Sequence, residues 1–259
     1  MASEAPIELR MAKATKSKTK KSTKTSASRA GKWMSVRPMR WAVRWGLRIF
    51  GAATAVSLFL VVLFSVVNPP TTLFMASESW RLGGVEYDWV DLEDANPIMA
   101  RAVVAAEDAN FCDHWGFDLV AIRAALDAGS NRGASTVSQQ TVKNVYLWHG
   151  RSWVRKVMEA GLTPMVEAVW SKRRIVEVYL NIAEFDEGVF GVDAAARHYF
   201  GVSPDKLSDV QAARLAAVLP SPKTRSASKP SAAVRRRAAS ILDGAATIRA
   251  DGRSACFES

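Results

Sequence analysis

The strongest pattern in the chain is an unbroken apolar run. From Ile49 to Val67 there are 19 residues without a charge. As a helix rising about 1.5 Å per residue, the run spans roughly 28 Å, the thickness of a bilayer core. Asn68-Pro69-Pro70 ends it, because proline has no N–H to continue the helical ladder. Trp41 and Trp45 stand just before it, where interfacial aromatics sit. The run is longer, and begins deeper in the chain, than the apolar segment of a cleaved signal peptide, so it predicts an uncleaved transmembrane anchor over residues 49–67.

Beyond the anchor the polar and apolar positions follow helical spacing, and alternating strand patterns are scarce. Residues 71–96 read as irregular or partly extended, broken at Gly83-Gly84. Asn96-Pro97 has the form of a helix start, with Asn as cap and Pro at the first helical position, and predicts a helix over 98–109. Thr136 and Gln139 have capping-box spacing ahead of a helix running to about Leu147. Further helices are predicted over 152–170, with a bend at Pro164, and over 172–182, capped by Ser171. Another is predicted over 188–200, and one more after the Ser208/Gln211 box, stopped by Pro220. Residues 221–237 read as a Ser/Pro/Lys/Arg-rich loop before a last helix. The fold class predicted is mostly α.

Charge changes the picture at the N-terminus. The 259-residue chain carries a formal +10, yet residues 1–48 hold 13 Lys/Arg against 2 Asp/Glu, and the remainder 22 against 23. Residues 11–32 are almost wholly Lys, Thr, Ser and Ala and predict a disordered tail. Basic residues ahead of an apolar span predict a cytoplasmic N-terminus and a single-pass topology, with residues 71–259 across the membrane. A near-neutral exported part disfavours nucleic acid as a partner. Two cysteines, Cys112 and Cys256, exclude a disulfide framework and a cysteine-rich zinc site, and their pairing is left open. Three histidines in all argue against a multi-His metal centre.

Three polar groups interrupt this helical frame. Glu107-Asp108 end an apolar helix and read either as a solvated terminus or as a cleft carboxylate tuned for acid/base work. In the segment 133–144, Thr136, Gln140 and Lys143 share a helical face, and free N–H groups at the helix start can receive an anion. Arg155 and Glu159 are i,i+4 neighbours, readable as a surface pair or as a phosphate-binding Arg beside a carboxylate.

Order and spacing decide between these readings. Glu107, Asp108, Phe111, His114 and Gly116 form E-D-x-x-F-x-x-H-x-G. Gly133, Ser135, Thr136, Gln139, Gln140, Lys143 and Asn144 form G-x-S-T-x-x-Q-Q-x-x-K-N, with Ala134 where a second Gly is common. Arg155, Lys156 and Glu159 form R-K-x-x-E. Lys172, Ile175, Glu177, Tyr179, Leu180 and Asn181 form a fourth motif, and Gly188, Gly191, Ala195, Ala196, Tyr199 and Phe200 a fifth. In these five motifs the chain resembles the family 51 peptidoglycan glycosyltransferases, and most closely their monofunctional form.

The resemblance implies a lysozyme-like glycosyltransferase domain over 71–222 and a C-terminal extension over 223–259. It implies polymerisation of lipid II into β-1,4 glycan with inversion and release of undecaprenyl pyrophosphate, in cell-wall biogenesis at the bacterial inner membrane, with a periplasmic catalytic domain. By resemblance Glu107 is the base, and Glu159 orients the donor or assists departure. Lys143 and Arg155, supported by Lys156, bind pyrophosphate. Ser135, Thr136, Gln139, Gln140 and Asn144 address sugar and phosphate oxygens, while Asp108, Phe111, His114, Gly116 and Gly133 support the site. No cofactor is required by this reading. A divalent cation, Mg or Mn, could share the charge neutralisation at the pyrophosphate. The partners implied are lipid II, the growing glycan strand, the membrane and other cell-wall synthesis proteins. Trp115, Phe117, Leu119 and Ile122 fall in the family's membrane-entering jaw and read either as core or as membrane-touching. The rival readings are a glycan-cleaving lytic transglycosylase, which does not need Lys143 and Arg155, and a silent scaffold, which would have lost them. Ser226 and Lys229 match S-x-x-K without the partner motifs of a transpeptidase.

Overall fold

A computed structural model of the chain describes residues 36–129, 135–150 and 152–258. The chain divides into two units, Met1–Gly51 and Ala52–Ser259. Helix α1 (Val36–Phe64) is the one helix among the described residues long and apolar enough to cross a membrane. It stops at Phe64 rather than Val67. The N–H groups of Val66 and Val67 both turn back to the Leu63 carbonyl, closing the helix ahead of the prolines. Within the second unit Trp170 Nε1 donates to the Val61 carbonyl at 2.7 Å, and Arg174 donates to those of Phe64 at 3.2 Å and Val67 at 2.9 Å. The last turn of α1 contains no basic residue, so Arg174 supplies the positive charge that complements the negative end of its dipole.

The second unit is mostly helical. Its first helix corrects the expectation of irregular structure over 71–96. Thr72 accepts from Met75 N at 3.1 Å and caps α2 (Leu73–Leu82), which Gly83 ends at φ +80°. Asn96 caps α3 (Pro97–Glu107), which is shorter than the expected 98–109 at its far end because Asp108 turns away with φ −163°. Then come α4 (Leu119–Asp127), α5 (Val137–Tyr146), α6 (Trp153–Val169) and α7 (Lys172–Ile182), with Pro164 inside α6. The expected helix over 188–200 is in part a strand. A small sheet of β1 (Glu86–Tyr87), β2 (Glu184–Asp186) and β3 (Val189–Phe190) has the order β1-β3-β2, and α8 (Val192–Phe200) begins after it. Gly191 makes that switch at φ +81°, where a Cβ would lie 2.8 Å from the Asn181 carbonyl oxygen. Next are α9 (Asp209–Val218), α10 (Ala232–Ala250) and α11 (Ala255–Glu258). The expected loop over 221–237 ends early, since Ser231 caps α10.

Helix α3 lies in the core between α9 and α10, with Met99, Ala102, Val103 and Val104 fully enclosed. Small residues let the helices approach closely: a Cβ on Gly244 of α10 would stand 3.3 Å from that of Ala105. The C-terminal extension is therefore part of the core. Its end also clasps the loop after α3. Cys112 is disulfide-bonded to Cys256, Phe257 packs on Phe111 with ring centroids 6.3 Å apart, and Arg253 donates to the Ala109 carbonyl at 3.1 Å.

Candidate active site

Glu107 is the last residue of α3, and its side chain is 14% exposed. The apolar α3 that buries its own inner face thus delivers one carboxylate to the protein surface. Gln140, one turn into α5, donates from Nε2 to Glu107 Oε2 at 2.9 Å. Tyr179, enclosed on α7, donates its hydroxyl to Gln140 Oε1 at 3.2 Å, which fixes the amide with its N–H₂ toward Glu107. This role for Tyr179 went unseen in the sequence, where it stood only as a member of the fourth motif.

Asp108 points elsewhere. Its Oδ1 pairs with His114 Nε2 at 2.8 Å and its Oδ2 accepts from Val137 N at 3.0 Å, so it ties the loop after α3 to the start of α5. The expectation of free N–H groups there is corrected: the anion at the N-terminus of α5 is Asp108 itself. Thr136 and Gln139 complete the capping box and are almost fully buried. Thr136 also donates to the Gly116 carbonyl at 2.7 Å. Their polar groups hold the helix start in place. Gly116 sits at φ +79°, where a Cβ would collide with Thr163 and crowd Glu167. Lys172 braces the same loop, donating to the His114 carbonyl at 2.7 Å and lying 4.2 Å from the Phe111 ring centre. Glu167, outside every motif, binds both Ser138 and Lys172. Ser135 lines a 250 Å³ cavity beside Glu107, shared with Asp118 and Thr136. Gly133 lies outside the described residues.

The third motif forms a cationic cluster around one acid. Glu159 is 3% exposed, and its two oxygens are taken, Oε2 by Arg155 Nη1 at 2.9 Å and Oε1 by Lys156 Nζ. Arg155 also donates from Nε to the Gly150 carbonyl at 2.8 Å. Lys143 differs from both: its ammonium has no hydrogen bond or ion pair among the described residues, although Glu107, Glu159, Arg155 and Lys156 all act on its charge. Asn144 keeps a buried, unsatisfied Oδ1 nearby in sequence.

Electrostatics separate these groups. Burial pushes the Glu107 carboxyl above its ordinary value; the Gln140 hydrogen bond and the charges of Arg237 and Lys143 oppose the shift, and Asp108 reinforces it. Burial holds Lys143 below the usual lysine range. His149, stacked on Phe74 at 3.5 Å, is pushed down to about 4 by burial and by the positive charges of Lys143, Arg155 and Lys223. The site thus pairs a carboxylate having a raised proton affinity with an unsatisfied lysine in a positive field. Among the described residues no three His, Cys, Asp or Glu side chains converge, so these side chains do not fit a protein-built metal centre.

A carboxylate of raised proton affinity, in coulombic reach of a lysine that has no ion-pair partner among the described residues, suits the displacement of an anionic leaving group. Residues 77–246 match the Transglycosylase family. A biosynthetic peptidoglycan transglycosylase of Jannaschia sp. (strain CCS1) is 59% identical over 214 residues, covering 83% of this chain and 90% of that protein. Proteins of the same name from Salmonella arizonae and Pseudomonas fluorescens are 53% and 50% identical, covering 70% and 76% of this chain and 80% and 86% of theirs. The chain belongs to the transglycosylase family.

Proposed function

We propose that the protein polymerises peptidoglycan glycan strands from lipid II. Glu107 takes the proton of the acceptor sugar's 4-hydroxyl as it attacks the donor's anomeric carbon; the C–O bond to the α-linked pyrophosphate breaks, and a β-1,4 bond forms with inversion. Lys143 meets the departing pyrophosphate, with Arg155 and Lys156 behind it. Glu159, with both oxygens occupied, positions those two cations rather than touching sugar. Ser135 and Asn144 address substrate oxygens, while Asp108, Thr136 and Gln139 hold the frame. A divalent cation at the pyrophosphate would take most of its ligands from the substrate.

The observation that carries this reading is the ammonium of Lys143, without an ion-pair partner among the described residues, in coulombic reach of Glu107. A glycan-cleaving enzyme releases no pyrophosphate and has no use for that cation. The protein sits in the inner membrane by α1, with its N-terminus cytoplasmic and the catalytic domain periplasmic. The exposed apolar side chains of Trp115 (70%), ahead of α4, and of Leu119 (63%), Val120 (76%) and Leu126 (72%) on it favour a bilayer-facing role for this segment, while Phe117 and Ile122 are half-buried. The deciding experiment incubates the purified full chain with labelled lipid II and resolves glycan by size. Growth of long chains is expected. No product from lipid II, together with cleavage of preformed glycan, refutes the proposal. A reporter active only outside the cytoplasm, fused after Ser259, tests the orientation.

A further inference from the structure

Arg237 belongs to none of the five motifs. It lies on α10, beside the stripe of Val234, Ala238, Ile241, Ala245 and Ile248 that faces the core. The close approach of α10 to α3 at Gly244 brings the preceding turns over the end of α3, and Arg237 arrives at its last residues. Its Nη2 donates to the Ala106 carbonyl at 3.3 Å and stands 3.6 Å from Glu107 Oε1. Both Glu107 Oε1 and Arg237 Nε are enclosed without a hydrogen-bond partner among the described residues. Glu107 is thus flanked from two sides, Oε2 hydrogen-bonded by Gln140 of α5 and Oε1 in ion-pair range of the guanidinium of α10.

We propose that Arg237 is a positioning residue for glycosyl transfer: it fixes the orientation of the Glu107 carboxylate and sustains its negative charge. The inference rests on the reading of Glu107 as the base. The charged groups around that carboxylate are Asp108 from the adjoining chain, Lys143 from α5 and Arg237 from α10. Burial and Asp108 both favour protonation, so ionisation depends on the Gln140 hydrogen bond and on the two cations. Lys143 also answers to Glu159, and it is the cation that a bound pyrophosphate draws on. Arg237 acts on Glu107 from another helix and keeps its charge when donor binds. It also places a cation at the C-terminal end of α3, whose own last turn contains no basic residue.

The test is the pH dependence of kcat/KM on lipid II for the full-length wild type, Arg237→Gln and Arg237→Lys, each with its melting temperature, beside Glu107→Gln. Removing a unit charge at this distance, screened by solvent because Arg237 is 40% exposed, should move the acid limb of Arg237→Gln up by about one pH unit. That is roughly a tenfold loss on the acid side that recovers at alkaline pH. Arg237→Lys should keep the wild-type limb. An unmoved limb in Arg237→Gln, or a loss equal at every pH, overturns the proposal and leaves Arg237 as a brace between helices. If Arg237→Gln fails to fold, Arg237→Met retains the packed stem and takes its place under the same criteria. An active Glu107→Gln sinks the base assignment itself, whereas an inactive Glu107→Gln beside an unshifted Arg237→Gln sinks only the role of Arg237.

Discussion

Lys143→Met separates the leaving-group cation from its neighbours. Methionine keeps most of the buried stem and removes the charge. Two unit charges about 4 Å apart at an effective dielectric near 20 attract by about 4 kcal/mol, equivalent to roughly a thousandfold in rate. Lys143 should deliver that nearly whole, since no carboxylate among the described residues binds its ammonium. Lys156 is 46% exposed and already paired with Glu159, so Lys156→Met should cost less than about tenfold. Stability should move the other way. The fold disfavours the charged form of Lys143, so Lys143→Met should melt no lower than wild type. The assay is single-turnover polymerisation at saturating lipid II, with thermal melting of the same preparations. A Lys143→Met enzyme within tenfold of wild type, or a Lys156→Met enzyme worse than it, refutes the assignment.

Glu107→Gln keeps size and hydrogen bonding but cannot accept a proton, so glycan synthesis should fall by at least a hundredfold with unchanged melting. In the wild type, the raised proton affinity of Glu107 should set the acid limb of kcat/KM above the ordinary value of 4.5, with activity present above that limb and lost as pH falls through it. Gly116→Ala puts a Cβ against Thr163 in a left-handed backbone position and should destabilise by about 3 kcal/mol; equal melting temperatures would refute the packing argument. Reducing the bond between Cys112 and Cys256, separated by 144 residues, should lower the melting temperature by on the order of 10 °C, measured with and without a reductant.

What the sequence disclosed was decided by local chemistry. Asn96-Pro97, the Thr136/Gln139 and Ser208/Gln211 boxes and Ser171 all start helices where expected, because a cap is completed within about one turn. Thr72 escaped notice because Met75 stands where a capping box would have Gln or Glu. The motifs pointed to the α3 terminus and to α5 and α6, but residue type could not say which way each side chain turns. Glu107 and Asp108 are adjacent, yet one faces Gln140 and the other His114 and Val137. The remaining contacts join distant stretches of chain: Tyr179 with Gln140, Arg174 with Phe64, Arg237 with Ala106. No periodicity encodes such pairs, and the C-terminal extension carried no motif to announce them.

The chemistry draws on helix ends as much as on side chains. The C-terminus of α3, carrying Glu107, meets the N-terminus of α5, whose first turn carries Gln140. A carboxylate at the negative end of one helix is held toward its protonated form, while the positive end of the next favours the anion. Asp108 occupies that second position, bonded to Val137 N, and spends the favourable dipole on fastening the loop. Glu107 is left with the unfavourable one. Its ionisation therefore depends on groups brought from elsewhere: an oriented amide from α5, a lysine two turns along the same segment and an arginine from α10. On the proposed reading of Glu107 as the base, its proton affinity is higher than that of a solvated glutamate, which favours uptake of a sugar hydroxyl's proton during attack, and the helix that imposes the penalty is the one that places the carboxylate.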